Sequence, residues 1–203
     1  MILRSERRTI AGPAGPLECL IESPAETPCG DALICHPHPL HGGTMDNKVV
    51  VTLARAFVQC GWRAIRFNFR GVGASAGAWD EGRGEVLDAL AVAAGLCERA
   101  QPLALAGFSF GGHVASHAAI SLQPQRLLLI GPATGSFDVA AVPAHTLVVH
   151  AEADEVVPLQ ATLDWARPQS LPIVVVPGGS HFFHGQLTLL KSIVLQHLAA
   201  PSV

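Results

Sequence analysis

Residues 103–112 have the sequence LALAGFSFGG, in which a short apolar run is followed by a serine between glycines. The run is typical of a buried strand, and the apolar residues of 110–122 predict a helix directly after it. The glycines at 107 and 111 leave room where the strand turns sharply into the helix, and Ser109 must then adopt strained backbone angles. Such a turn presents the Ser109 hydroxyl at the carboxyl end of its strand.

Short apolar runs and amphipathic segments alternate along the chain from about residue 31. The apolar runs predict strands that are covered on both faces (31–35, 63–69, 103–106, 126–130, 146–150 and 172–176). The amphipathic segments predict helices between them (from Asp46 or Asn47 to Gly61, then 85–100, 110–122, 159–166 and 186–199). This alternation predicts an α/β fold with a mostly parallel, twisted sheet and helices on both faces.

The first 30 residues follow a different pattern. A turn signal, AGPAGP at 11–16, separates two runs at 2–10 and 17–21. We interpret the two runs as an antiparallel hairpin at the edge of the sheet.

The composition predicts one folded domain over residues 1–203, because 49% of the residues are hydrophobic and only 14% are charged. The formal net charge of −3 gives no basic excess, so we expect neither a nucleic acid nor a membrane as partner. Five widely spaced cysteines favour free thiols over disulfides or a zinc site. With no apolar leader segment behind the charged N-terminus, we expect a cytoplasmic protein. The oligomeric state stays open.

A serine hydroxyl is a weak nucleophile at neutral pH, so it needs an imidazole as base and a carboxylate that orients the imidazole. In a sheet of this kind the acid follows a late strand and the histidine follows the last one. Asp154 comes just after the strand at 146–150 and is our candidate acid, with Glu152 and Glu155 as competitors. His181 follows the strand at 172–176 and is our candidate base, with His184 as the alternative, which we expect to open the final helix.

These residues resemble the α/β-hydrolase superfamily from about residue 31 to the C-terminus. The resemblance rests on HPHP at 36–39, RGVGAS at 70–75, the serine turn, Asp154 and His181. Within the superfamily the chain is similar to small lidless enzymes such as dienelactone hydrolases and short-chain esterases. The resemblance implies hydrolysis of an acyl bond, an ester or thioester, in a small-molecule substrate, by a triad of Ser109, His181 and Asp154 and without a cofactor. Only about 15 residues separate the strands ending at 130 and starting at 146, so we expect no cap domain and an open site.

The resemblance also implies two backbone N–H groups that bind the oxyanion of the reaction. One belongs to Phe110, at the start of the helix after the serine. The other comes from the loop at 36–44, where prolines 37 and 39 have no N–H, which leaves His38 first and Leu40 second. Asn68 stands where the superfamily often has aspartate, and this departure leaves the geometry of the loop open.

Three alternatives stay open from the sequence. His36 and His38 would share one face of an extended strand and, with His41 and Asp46, would hold a metal for metal-dependent hydrolysis. The second alternative is a non-catalytic binding protein on the same scaffold. GVGASA at 71–76 matches a dinucleotide fingerprint, but a polar loop rather than a helix follows it, which disfavours nucleotide binding.

Overall fold

A computed structural model describes residues 4–200, which contain eight strands and five α-helices. The strands are β1 (Arg4–Gly12), β2 (Gly15–Ser23), β3 (Asp31–Cys35), β4 (Arg63–Phe67), β5 (Leu103–Phe108), β6 (Arg126–Ile130), β7 (Leu147–Ala151) and β8 (Ile173–Val176). The helices are α1 (Lys48–Gln59), α2 (Arg83–Leu96), α3 (Phe110–Leu122), α4 (Leu159–Ala166) and α5 (Leu187–Ala199).

The eight strands form one sheet in the order β1-β2-β4-β3-β5-β6-β7-β8. The six strands from β3 to β8 are parallel, whereas β1 and β2 form an antiparallel hairpin that joins the sheet through β4. The predicted fold class and antiparallel edge are therefore confirmed, although residues 2 and 3 of the predicted hairpin lie outside the described residues. Because all parallel strands end at the same edge, the loops after β3, β4, β5, β6, β7 and β8 meet there.

Apolar side chains fill both faces of the sheet, because successive residues of a strand point to opposite sides. In β3, Leu33 packs with the side chains of α2 and α3, while its neighbour Ile34 packs with those of α1 and α5. In the described part of the chain, no helix is long and apolar enough to cross a membrane. The segment 131–146 between β6 and β7 contains neither helix nor strand, which confirms the prediction that no cap domain is inserted there.

Two predicted boundaries were wrong for identifiable reasons. The strand predicted over 63–69 ends at Phe67, since the N–H of Phe69 donates to the His36 ring instead of to a neighbouring strand. The helix predicted over 85–100 ends at Leu96. Two residues later, the N–H of Glu98 donates to a carboxylate oxygen of Asp31 and not to a carbonyl of the helix.

Two buried carboxylates of α2 hold the loop that follows β4. Asp88, which is fully buried, accepts two hydrogen bonds from the Arg70 guanidinium at 3.0 and 2.7 Å and one from the Arg70 backbone N–H at 3.0 Å. Glu85, also fully buried, accepts the N–H groups of Asp80 and Gly82 at 3.0 and 2.8 Å. This loop lies at the carboxyl edge of the sheet, so α2 fixes one border of that edge.

We expect Asp88→Ala to lower the free energy of unfolding by about 3–5 kcal/mol, because it leaves the buried Arg70 guanidinium without its partner. Urea unfolding followed by circular dichroism measures this loss. The matched control is Asp164→Ala on α4, which breaks a solvent-exposed pair with Arg167. This variant should leave the unfolding midpoint unchanged. Equal midpoints for both variants would contradict the structural role of the buried pair.

Candidate active site

Ser109 occupies the strained turn that its glycines predict. Its backbone angles are φ 54° and ψ −118°, and its N–H donates to the carbonyl of Ile130 at 2.9 Å. A Cβ on Gly107 would collide with the carbonyl oxygen of Gly111, and a Cβ on Gly111 would collide with that of Cys35. The chain therefore needs glycine at both positions to bring the start of α3 against the ends of β5 and β3. Ser109 itself is 7% exposed.

The structure brings Asp154 and His181 into direct contact. The Nδ1 atom of His181 lies 2.7 Å from Oδ2 of Asp154. The other carboxylate oxygen of Asp154 accepts the N–H groups of Val156 and Val157 at 2.9 and 2.7 Å. Both oxygens are thus held, and the imidazole receives a fixed orientation and tautomer with its proton on Nδ1.

The competing acids and the alternative histidine have other partners. Glu152 accepts the N–H of Gly178, and Glu155 accepts the backbone N–H of His181. His184 is exposed, and its backbone N–H donates to the Ser180 hydroxyl. It does not open the final helix, which begins at Leu187 with Gln186 as its N-cap, so that expectation was wrong.

The His181 imidazole lies beside the residues that flank Ser109. Its ring centroid is 4.9 Å from that of Phe108, the residue before the serine. A Cβ built on Gly131 would lie 3.6 Å from both the imidazole and Oδ2 of Asp154, and Gly131 directly follows the carbonyl that binds the Ser109 N–H. Within residues 4–200 no hydrogen bond joins Ser109 Oγ to the imidazole. A bond of this kind often tightens only when substrate is bound.

The carboxylate of Asp154 is stabilised in its charged form. Burial alone would raise its pKa, but the hydrogen bonds from His181 and from the N–H groups of Val157 and Val156 outweigh burial, and the net pKa lies below its usual value. The group therefore stays negative over the range in which an imidazole titrates, and it can stabilise an imidazolium at His181.

His150, on β7, is a residue of this site that the sequence did not single out. It is fully buried, and its Nε2 donates to the carbonyl of Val157 at 2.9 Å while lying 3.4 Å from Oδ2 of Asp154. Burial lowers its pKa, although the bond to Val157 and the charge of Asp154 act in the opposite direction. A neutral His150 therefore holds the carbonyl of Val157, whose N–H binds Asp154, and adds no positive charge beside that carboxylate. In the sequence, the only indication that His150 belongs to the site was its position at the end of a predicted strand.

Two of the three candidate N–H groups for the oxyanion have no partner within the described residues. Within the described residues, neither Phe110 nor His38 donates its N–H to another protein atom. The N–H of Leu40 is occupied, since it donates to Nδ1 of the His38 side chain at 3.2 Å. The His38 and Phe110 rings are 5.3 Å apart, which brings the loop at 36–44 against the start of α3. The geometry thus favours His38 over Leu40 among the two candidates in that loop.

The metal alternative does not agree with the positions of its histidines. His36 is fully buried, its Nδ1 donates to the Pro37 carbonyl at 2.6 Å, and its Nε2 accepts the N–H of Phe69 at 3.1 Å. Because β3 ends at Cys35, His36 and His38 do not share the face of an extended strand as we had expected. Both ring nitrogens of His36 are occupied, so neither has a lone pair for a metal. Residues 4–200 contain no group of three potential metal ligands.

The departure at Asn68 strengthens the loop instead of disturbing it. Its side-chain oxygen accepts the N–H of Met45 at 2.9 Å, and its amide nitrogen donates to Glu18 at 2.8 Å. The contact connects the end of β4 to the segment that leads into α1, where Asn47 caps the helix by accepting the N–H of Val49.

Comparison with known proteins shows similarity over nearly the whole chain. The family described as serine aminopeptidase, S33 (Hydrolase_4), matches residues 38–137. The structure of XC6422 from Xanthomonas campestris, an α/β serine hydrolase without a lid, has a TM-score of 0.90 and 41% identity, covering 98% of this chain and 97% of that one. An α/β serine hydrolase homologue from Coxiella burnetii has a TM-score of 0.85 and 39% identity, covering 96% and 97%. The uncharacterized protein RP471 of Rickettsia prowazekii is 31% identical in an alignment of 190 positions, which covers 85% of this chain and 79% of its own length.

The buried His36 predicts a measurable loss of stability in acid. Burial lowers its pKa from 6.5 to about 4, against the hydrogen bond to the Pro37 carbonyl, which raises it. Stability is therefore complete above pH 6.5 and declines as the pH falls from 6.5 to 4, where only the unfolded imidazole binds a proton. We expect this residue to contribute a loss of about 2 kcal/mol between pH 8 and pH 5 in urea unfolding. The pH dependence should be smaller by that amount in His36→Gln and unchanged in His184→Gln.

Proposed function

The chain belongs to the α/β serine hydrolases, and we propose that it cleaves carboxylic ester or thioester bonds with Ser109 as nucleophile, His181 as base and Asp154 as the orienting acid. The observation that carries the proposal is the 2.7 Å bond between Asp154 and His181, whose imidazole packs against the residue that precedes the strained serine. A carboxylate, an imidazole and a hydroxyl in this order form a relay that makes serine nucleophilic at neutral pH.

The proposed reaction has two halves. Ser109 Oγ attacks the substrate carbonyl carbon while its proton passes to Nε2 of His181, and the oxyanion accepts hydrogen bonds from the N–H groups of His38 and Phe110. The carbon–oxygen or carbon–sulfur bond then breaks, and the departing alcohol or thiol takes the proton from Nε2. Water attacks the acyl-enzyme by the same route and releases the acid.

Esters and thioesters are the proposed substrates because alcohols and thiols leave more readily than amines. The matching family carries the name of an aminopeptidase, so a substrate panel should include aminoacyl anilides beside the esters and thioesters. The short segment 131–146 adds no lid over Ser109, which suits small or extended acyl substrates. We also propose a cytoplasmic location, because the five cysteines are free thiols in the described residues.

We expect Ser109→Ala to lower kcat on the preferred substrate by a factor on the order of 10⁶, because the nucleophile of a triad is removed. The same variant should lose covalent labelling by a fluorophosphonate probe, which mass spectrometry of the wild type should locate on Ser109. The control is Ser192→Ala, which replaces an exposed serine of α5 and should retain both activity and labelling.

Each alternative function has its own outcome in this experiment. A wild-type protein that neither hydrolyses any member of the panel nor reacts with the probe would favour a binding protein on this scaffold. Activity that survives Ser109→Ala and disappears with a chelator would instead support metal-dependent hydrolysis.

His150 provides a test of the acid side of the triad. We expect His150→Leu to lower kcat about tenfold with little change in KM, because Val157, whose N–H binds Asp154, loses the hydrogen bond that its buried carbonyl accepts from His150. His150→Gln keeps an N–H at a similar reach and should recover most of the rate. Unfolding curves establish that both variants are folded. Full kcat in the folded leucine variant would contradict the positioning role.

A further inference from the structure

Three loops at the carboxyl edge of the sheet each place one aromatic ring around Phe110. Trp79, from the loop after β4, lies 4.9 Å from the Phe110 ring, and Phe137, from the loop after β6, lies 5.0 Å from it. His38, from the loop after β3, lies 5.3 Å from Phe110 and 4.4 Å from Trp79. Phe110 is fully buried, whereas Trp79, Phe137 and His38 are half-buried and form what we call the aromatic wall.

The aromatic wall is continuous with the proposed oxyanion site. Phe110 and His38, whose rings belong to this cluster, are also the residues whose backbone N–H groups are free to bind an oxyanion. The wall and the proposed oxyanion donors thus belong to the same two residues and their neighbours, which brings the wall to the proposed reaction site.

The side of Ser109 on which the wall lies identifies which substituent of a bound carbonyl faces it. Phe108 and Phe110 belong to different cores on opposite faces of the sheet. His181, which would protonate the leaving group, packs against Phe108 at 4.9 Å, while the wall surrounds Phe110. The leaving group thus departs on the Phe108 side, and the acyl substituent extends toward the wall.

The wall is held rigidly before any substrate arrives. The buried Glu85 binds the N–H groups of Asp80 and Gly82, directly after Trp79. On the other side, the N–H of Phe137 donates to the carbonyl of Ala133 at 2.9 Å, and the Ala133 N–H donates to the carbonyl of Ser109 at 3.2 Å. A binding surface that is already ordered loses little conformational entropy when a ligand contacts it.

We propose that the aromatic wall selects substrates whose acyl group carries a planar aromatic ring, so that the preferred esters are arylacyl esters. This inference rests on the proposed function. Aromatic pairs prefer offset or edge-to-face contacts at ring distances of about 4.5–7 Å, and the rings of the wall already adopt such arrangements with one another. A planar ring continues that pattern, whereas a saturated ring of the same size buries similar area without it.

The experiment compares kcat/KM for the ethyl esters of phenylacetic and cyclohexylacetic acid, which share a leaving group and differ chiefly in the aromaticity of the acyl ring. The wild type should prefer the phenylacetyl ester about tenfold, as expected for the upper end of an aromatic pair. Trp79→Leu should reduce the ratio toward one while still hydrolysing the cyclohexyl ester. The comparison variant is Phe182→Leu, on the His181 side, which should keep the ratio whatever its rate.

The outcomes separate the inference from the proposed function. A wild type that hydrolyses both esters at similar rates overturns the aromatic preference alone, as does one that reacts with the fluorophosphonate probe but hydrolyses neither ester. A preference that survives Trp79→Leu overturns the role of the wall. A wild type that hydrolyses neither ester and does not react with the probe overturns the proposed function and the inference together.

Discussion

The close approach of backbone at Gly107 and Gly111 is the constraint on which the rest of this structure depends. A side chain at either position would collide with a carbonyl oxygen, of Gly111 in one case and of Cys35 in the other. Only with both glycines can α3 begin directly at the end of β5 and lie against the end of β3. That approach strains Ser109, leaves the Phe110 N–H free, and brings the loop after β3 to the serine.

The acid side of the site depends on hydrogen bonds more than on net charge. Asp154 is a buried carboxylate whose nearest protein partners are two backbone N–H groups and two imidazoles. Its full negative charge is tolerated because the N–H groups of Val156, Val157 and His181 donate to it. Burial lowers the pKa of His150, so this second imidazole contributes a dipole without adding a positive charge beside His181. In the proposed reaction, the negative charge of Asp154 would then stabilise the positive charge that His181 gains when it takes a proton.

Much of the fold could be predicted from the sequence because its strands are short, apolar and regularly spaced between helices. The strands at 31–35 and 126–130 and the helices at 110–122 and 159–166 have the predicted bounds. Predicted ends of elements were wrong where a side chain accepts a backbone N–H that would otherwise continue the strand or helix. His36 accepts the N–H of Phe69 in this way, and Asp31 accepts that of Glu98. Local sequence contains no trace of such long-range bonds.

The candidate site divides in the same way. Chain order pointed to Ser109, Asp154 and His181 as candidates, and the structure brings Asp154 and His181 into contact. The role of His150 and the choice between His38 and Leu40 were beyond sequence reasoning, since both depend on which N–H is already bonded. The alternative in which His36 and His38 share one face of a strand was wrong, because the strand ends at Cys35 and its alternation does not continue to these residues.

The strained turn at Ser109 gives the site its two sides, because β5 ends at Phe108 and α3 begins at Phe110. Phe108 and Phe110 flank one serine, yet the first packs into the core beneath α1 and α5 and the second into the core beneath α2 and α3. The imidazole of His181 contacts the first ring, and the aromatic wall surrounds the second. In the proposed reaction, a carbonyl bound between them would have its leaving group near His181 and its acyl group near the wall. The turn that presents Ser109 thus also separates, in the proposed reaction, the proton donor from the surface that would bind the acyl group.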